Sequence, residues 1–164
     1  MAKANKNLSK KSAARKTAGN ANGYMRRITV HTPCERVFDA LTTPAGLRGW
    51  WTTRVSGSAI SGGEVRFEFA GLDEYIVMHV DRATYPSAVR WTCMAHTGLS
   101  EWDGTTLMFD LVANASDTCE LNFQHVGLTP QLDCYDDCKL GWEYFLASLA
   151  AYVEQGQGTP FGAS

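Results

Sequence analysis

Beyond residue 23 the chain has a single lysine, Lys139, and before residue 24 it has no acidic residue at all. The first 23 residues carry six basic groups: Lys3, Lys6, Lys10, Lys11, Arg15 and Lys16. The remainder sets 9 basic groups against 17 acidic ones, a net of −8. An acidic body repels phosphate backbones, which excludes nucleic acid as a partner of the folded part. The basic tail has only Met1 and Leu8 as large apolar side chains, so it is expected to be a solvated, disordered arm. No run of eighteen apolar residues occurs, and no membrane span is expected. The opening residues also lack the apolar stretch of a signal peptide, which points to a cytoplasmic location. Five cysteines are an odd count. In such a chain they are expected to be reduced thiols packed as small apolar groups, with no disulfide framework.

What is present is core material. A hydrophobic fraction of 45% and 18 aromatic residues suit one domain in 164 residues, and two cores would each be undersized. The expected boundaries are a tail over 1–23, a domain over 24–156 and an extension over 157–164, with nothing structured after Gly156. Arg27 to His31 alternates as a strand. Thr32-Pro33 then opens a helix with Val37, Phe38 and Leu41 on one edge. A second short helix, Ala45 to Trp51, presents Leu47, Trp50 and Trp51.

From 53 to 126 six β-rich segments follow, at 53–59, 64–70, 74–82, 87–95, 104–113 and 117–126. Turn residues separate them at hairpin spacing. Alternation is clearest in Val65/Phe67/Phe69, Val89/Trp91/Cys93, Leu107/Phe109/Leu111 and Cys119/Leu121/Phe123. Arg66, Glu68 and Arg90 fall on the opposite, wet face. One dry face and one wet face mark an antiparallel sheet covered on one side. The cover is a C-terminal helix begun by Thr129-Pro130 and ended by Gly156. Its stripe is Tyr135, Cys138, Trp142, Phe145, Leu149 and Tyr152. Roughly 25 residues at 1.5 Å each give about 37 Å, enough to cross a sheet. The class is therefore α+β: a curved antiparallel sheet of about seven strands wrapped on a long C-terminal helix, with two short helices after the first strand.

Ile28-Thr29-Val30, the run Pro33 to Pro44, Trp50-Trp51, Gly62-Gly63 and Gly141-Trp142 with Leu146 and Leu149 stand in this order, followed by Glu154 to Pro160. Together they resemble homologues of the activator of the heat-shock-protein-90 ATPase, over about residues 24–160. That family is part of the START and birch-pollen-allergen superfamily. The resemblance implies a helix-grip fold enclosing a hydrophobic cavity, with relatives that bind lipids, hormones or polyketides and some that are cyclases or hydrolases. Eukaryotic activators carry a separate chaperone-binding domain ahead of this one. Here 23 low-complexity residues precede the fold, so chaperone contact ranks below a small apolar or aromatic ligand.

The expected cavity residues follow from the dry face. His125 continues the inward row Cys119, Leu121, Phe123, and a ligand hydroxyl or carbonyl would partner its imidazole. The alternative partner is a backbone carbonyl. In segment 74–82 neither row is polar, so the strand reads as covered on both faces, with Tyr75 and His79 candidates for the pocket. Phe67, Trp91, Phe109, Phe123, Trp142 and Phe145 supply aromatic surface around it. His96, at a strand end near Gly98, is expected to be exposed. Glu101-Trp102-Asp103 reads as a loop near the cavity mouth. Cys134 and Cys138 share a helix face with His125 nearby in sequence, but the pair supplies only two of four zinc ligands. No metal, cofactor or catalytic residue is assigned. The leading expectation is a small-molecule binder. A cyclase- or hydrolase-type enzyme using the same cavity and a chaperone-assisting interaction module are the alternatives.

Overall fold

The computed structural model describes residues 22–163. The basic segment before residue 22 lies outside them. Seven strands form one antiparallel sheet in the order β1-β7-β6-β5-β4-β3-β2. They are β1 (Gly23–Val30), β2 (Arg54–Gly57), β3 (Glu64–Glu68), β4 (Tyr75–Thr84), β5 (Ala88–His96), β6 (Thr106–Ala113) and β7 (Cys119–Val126). Helices α1 (Cys34–Thr42) and α2 (Pro44–Trp50) follow β1, and α3 (Tyr135–Gln155) closes the fold. This is the helix grip. Every β-rich segment expected from the sequence is a strand, because the hairpin turns fix the register that the dry rows then bury.

The inward rows are those of the alternation. Val65, Phe67, Met78, Val80, Val89, Trp91, Leu107, Phe109 and Leu121 are all fully buried. The outer face carries Arg66 paired with Glu68 at 2.8 Å. Arg90 lies 3.8 Å from Asp110 on the same side. Two register shifts interrupt the β4–β5 ladder, between Val77/Met78 and Val80/Arg82. Such bulges bend the sheet and increase its twist, which lets it curl around α3.

The long helix begins later than Thr129-Pro130 implies. Residues 129–134 form turns, and α3 starts at Tyr135, so its 21 residues span about 31 Å. The reason is a cap that comes from elsewhere in the chain. The Glu101 carboxylate, in the β5–β6 connection, accepts from the N–H groups of Asp133 (3.1 Å) and Cys134 (3.0 Å). A carboxylate at a helix start satisfies orphan donors and opposes the dipole. The Cys134 thiol and these two N–H groups hold the Glu101 carboxyl below the usual carboxylate range. At the other end Gly156, with φ of 86°, supplies the left-handed residue that terminates α3, as its position in the sequence indicates.

Two expectations are corrected. Cys34 and Cys119 form a disulfide, with Cα atoms 5.0 Å apart. The β1–β7 register sets Val30 against Cys119, and the turn through Pro33 brings Cys34 back onto the same spot. Cys93, Cys134 and Cys138 are the buried free thiols.

The second correction concerns the segment after Gly156, which is ordered. The Phe161 N–H donates to Trp51 O (2.8 Å), and the Thr53 N–H donates to Phe161 O (3.0 Å). The Phe161 ring sits edge-on to Phe69 at 5.4 Å. Ser148, buried in α3, fastens the segment: its Oγ donates to Trp50 O (2.8 Å) and accepts from the Thr159 N–H (2.7 Å). Removing that hydroxyl strands the buried Trp50 carbonyl and frees the Thr159 N–H. Ser148→Ala is therefore expected to lose about 1–2 kcal/mol in urea unfolding. An unchanged midpoint would show that the segment is not held this way.

Candidate functional site

Most of the space between sheet and helix is filled by aromatic rings. Trp51 packs on Phe67 at 4.4 Å and lies parallel to Trp91 at 6.2 Å. Trp142 meets Phe123 at 4.5 Å and Trp51 at 5.3 Å, while Phe109 bridges Trp91 and Phe123. Edge-to-face and offset contacts of this kind are each favourable beyond simple burial.

The open space is displaced to one end. A pocket of about 240 Å³ lies between the first three turns of α3 and the β3–β4 and β5–β6 connections. Its walls are largely apolar: Trp51, Phe69, Leu99, Trp102, Trp142 and Phe145. Trp102 and Trp142 are nearly parallel, 15° apart at 5.8 Å between centroids. Gly141 creates the room. A Cβ built there meets no atom within 4 Å. Glycine within a helix costs about 1 kcal/mol relative to alanine, and here the missing side chain leaves the cavity open on the helix side.

Of the nine residues expected at the pocket, Trp142 and Phe145 line it. Phe67, Trp91, Phe109 and Phe123 are buried in the aromatic layer that backs the lining residues. Tyr75 and His79 stand on the outer face. The inward row of β4 is Ile76, Met78 and Val80, and among the described residues nothing forms a second cover on the sheet's convex side. Tyr75 stacks under the Arg66 guanidinium, 3.6 Å from its ring centroid. His79 Nε2 lies 3.8 Å from Asp81 Oδ1.

His125 is fully buried, but the protein itself satisfies it. The Trp142 Nε1–H donates to His125 Nδ1 (3.0 Å), and His125 Nε2 lies 2.8 Å from Thr105 Oγ1. Thr105 in turn donates to Trp102 O (2.6 Å). Since Nδ1 accepts, the neutral ring carries its proton on Nε2 and donates to Thr105. Burial, with the neighbouring His96 adding to it, pushes the His125 pKa down to about 3. This imidazole therefore positions Trp142 and Trp102 and does not face the cavity.

The histidine that does line the cavity is His96, only 8% exposed against the expectation of exposure. The cause is the bulge. Val77 pairs Ala95 and Met78 pairs Cys93, which leaves Met94 as an extra residue. The odd-numbered inward row Val89, Trp91, Cys93 changes phase there, and the even-numbered His96 turns in. Glu74, Asp137 and Cys138 are the other lining residues with titratable side chains. Trp102 also donates its indole N–H to the Cys138 sulfur (3.2 Å).

The sequence matches the family described as Activator of Hsp90 ATPase homolog 1-like protein over residues 31–154. The chain belongs to this family. Among solved structures it is similar to the Aha1 dimer from Colwellia psychrerythraea. That match has 29% identity and a TM-score of 0.73, and covers 83% of this chain and 98% of the other. An HSP90 activator from Plasmodium falciparum, at 20% identity, has a TM-score of 0.65 with 82% and 96% coverage. CalU16 from Micromonospora echinospora, at 18% identity, has a TM-score of 0.65 with 84% and 76% coverage. The last two matches show the shared fold alone. No curated protein matches the chain.

Proposed function

We propose that this member of the family binds a small, largely apolar, ring-bearing molecule in the cavity beside α3. The observation that carries the reading is the gap at Gly141. A helix that packs Trp142, Leu146 and Leu149 tightly leaves one face open beside a half-open pocket walled by Trp51, Trp102, Trp142 and Phe145. A void of 150 Å³ lined by apolar side chains is enough to hold benzene, so about 240 Å³ has room for a fused pair of rings. Affinity comes from apolar burial at about 25 cal/mol per Å² and from stacking on Trp102 and Trp142.

The probe is 2-ethylnaphthalene, followed by quenching of tryptophan fluorescence. Gly141→Leu places a side chain in the void without disturbing a packed neighbour. It is expected to weaken probe binding at least tenfold while unfolding at the same urea concentration or higher. Equal affinity in wild type and Gly141→Leu would remove the cavity from consideration.

A second reading, contact with a chaperone, is supported by the family. Leu72, which lines the cavity, and Leu140 and Tyr144, each next in sequence to a lining residue, are 50%, 63% and 53% exposed, and such a surface suits a protein partner.

A further inference from the structure

We propose that the ligand carries an uncharged oxygen acceptor, a carbonyl on a flat ring system, and that the Nε2–H of His96 is the donor that orients it. This rests on the cavity reading above and adds to it the ligand's chemistry and the residue that recognises it.

The argument begins with the tautomer. The backbone N–H groups of Gly98 and Leu99 both donate to His96 Nδ1, at 3.2 and 3.0 Å. A nitrogen that accepts twice carries no proton, so the neutral ring is protonated at Nε2. The backbone of the β5–β6 connection thus fixes which nitrogen is the donor. Among the described residues no acceptor partners Nε2; the residue is more than nine-tenths buried, yet Nε2 is not one of the fully buried unpaired atoms and keeps contact with the open space of the pocket. A ligand acceptor would take the place of solvent at this donor, on a ring whose orientation is already fixed. The ring is held edge-on to Trp102 at 4.9 Å, so a group hydrogen-bonded to it lies alongside the wall on which a flat ligand would stack.

The charge around the site decides the kind of acceptor. Burial holds the His96 pKa below its usual value, against the opposing pull of Glu74 and Asp103. The ring therefore enters the site neutral. Glu74 and Asp137 both line the cavity, and the body of the chain is acidic. A carboxylate or phosphate ligand meets two like charges and no cation among the lining residues. An uncharged carbonyl accepts from Nε2–H without that repulsion. Glu74 and Asp137 remain available to accept from a hydroxyl elsewhere on the ligand.

The test compares 2-acetylnaphthalene with 2-ethylnaphthalene, which has the same rings and a similar shape but no acceptor, on wild type and His96→Asn. Asparagine keeps an oxygen where Nδ1 accepts from Gly98 and Leu99 but does not reach the Nε2 position. The substitution is expected to weaken the ketone about fivefold and to leave the hydrocarbon within twofold, the effect of one hydrogen bond near 1 kcal/mol. Ketone and hydrocarbon changing by the same factor, or neither changing, overturns the assignment of His96. The cavity reading survives that outcome as long as Gly141→Leu still removes both probes. Binding of both probes that persists in Gly141→Leu, or no binding to wild type, overturns both. In the wild-type protein the imidazole ¹⁵N spectrum gives an independent readout. The ketone is expected to shift the His96 Nε2–H resonance and the hydrocarbon to leave it in place, and an unshifted resonance in saturating ketone counts against the proposal.

Discussion

Reducing the Cys34–Cys119 disulfide is expected to lower the unfolding free energy by about 4.5 kcal/mol and the melting temperature by on the order of 15 °C. The magnitude follows from chain connectivity. The two cysteines are 85 residues apart, so the bond closes a loop that takes in α1, α2 and β2 to β6. In the chain-entropy account a closed loop of this length restricts the unfolded ensemble strongly and leaves the folded state untouched. Both residues are buried, and the β1–β7 ladder holds Cys119 in place with or without the bond. The reduced protein should therefore keep its fold and lose only its margin. Urea titrations with and without reductant, alongside a Cys34→Ala/Cys119→Ala variant, measure the effect. The prediction also fixes a count: three thiols should react in the denatured, unreduced protein. Five reactive thiols would contradict the bond outright.

Acidification should destabilise the protein well above the pH at which its carboxylates protonate, and His125 is the principal cause. Its pKa is about 3 in the folded chain and 6.5 as an ordinary histidine. Between those values the unfolded chain binds a proton that the folded chain does not, so the unfolding free energy rises with pH across the window. The stabilisation is complete above pH 6.5 and is lost as the pH falls toward 3. Each pH unit removes about 1.4 kcal/mol, so about 2 kcal/mol is gone by pH 5. The structural reason is that Nδ1 faces the Trp142 indole N–H. A proton added there would set two donors against each other among buried rings. His96, also lowered by burial, steepens the dependence in the same direction. Comparing wild type with His125→Gln between pH 7 and 5 isolates the contribution. The variant should be less stable at pH 7 and its curve flatter, and parallel curves would show that His125 is not the titrating group.

The strands and the stripe of α3 were readable because each depends on local periodicity and burial on one side. Val65/Phe67 and Leu107/Phe109 alternate, and Cys138, Trp142, Leu149 fall on one helical face. The features that resisted reading depend on partners distant in sequence. His96 turns inward because of an unpaired Met94, and nothing in the local pattern marks a bulge. The start of α3 is set by Glu101, more than thirty residues upstream, which the Thr129-Pro130 signal does not show. Tyr75 and His79 lie in a strand whose two rows are equally apolar, so alternation gives no direction. His125 was rightly placed on the inward row, but its partners, Thr105 and Trp142, belong to other elements. Gly141 is a local signal of another kind: a glycine within an otherwise strong helical stripe marks where a gap should be sought.

The ordered stretch after α3 has a practical bearing on how the domain is produced. Phe161 lies across Phe69, which is itself a wall of the cavity, and its backbone pairs with residues 51 and 53. An expression boundary drawn at the end of the helix would cut away that brace and leave Phe69 free to rotate into the vacated space. Trimmed versions ending at Gly156 are poor material for ligand screening, and affinity tags are better placed on the other terminus.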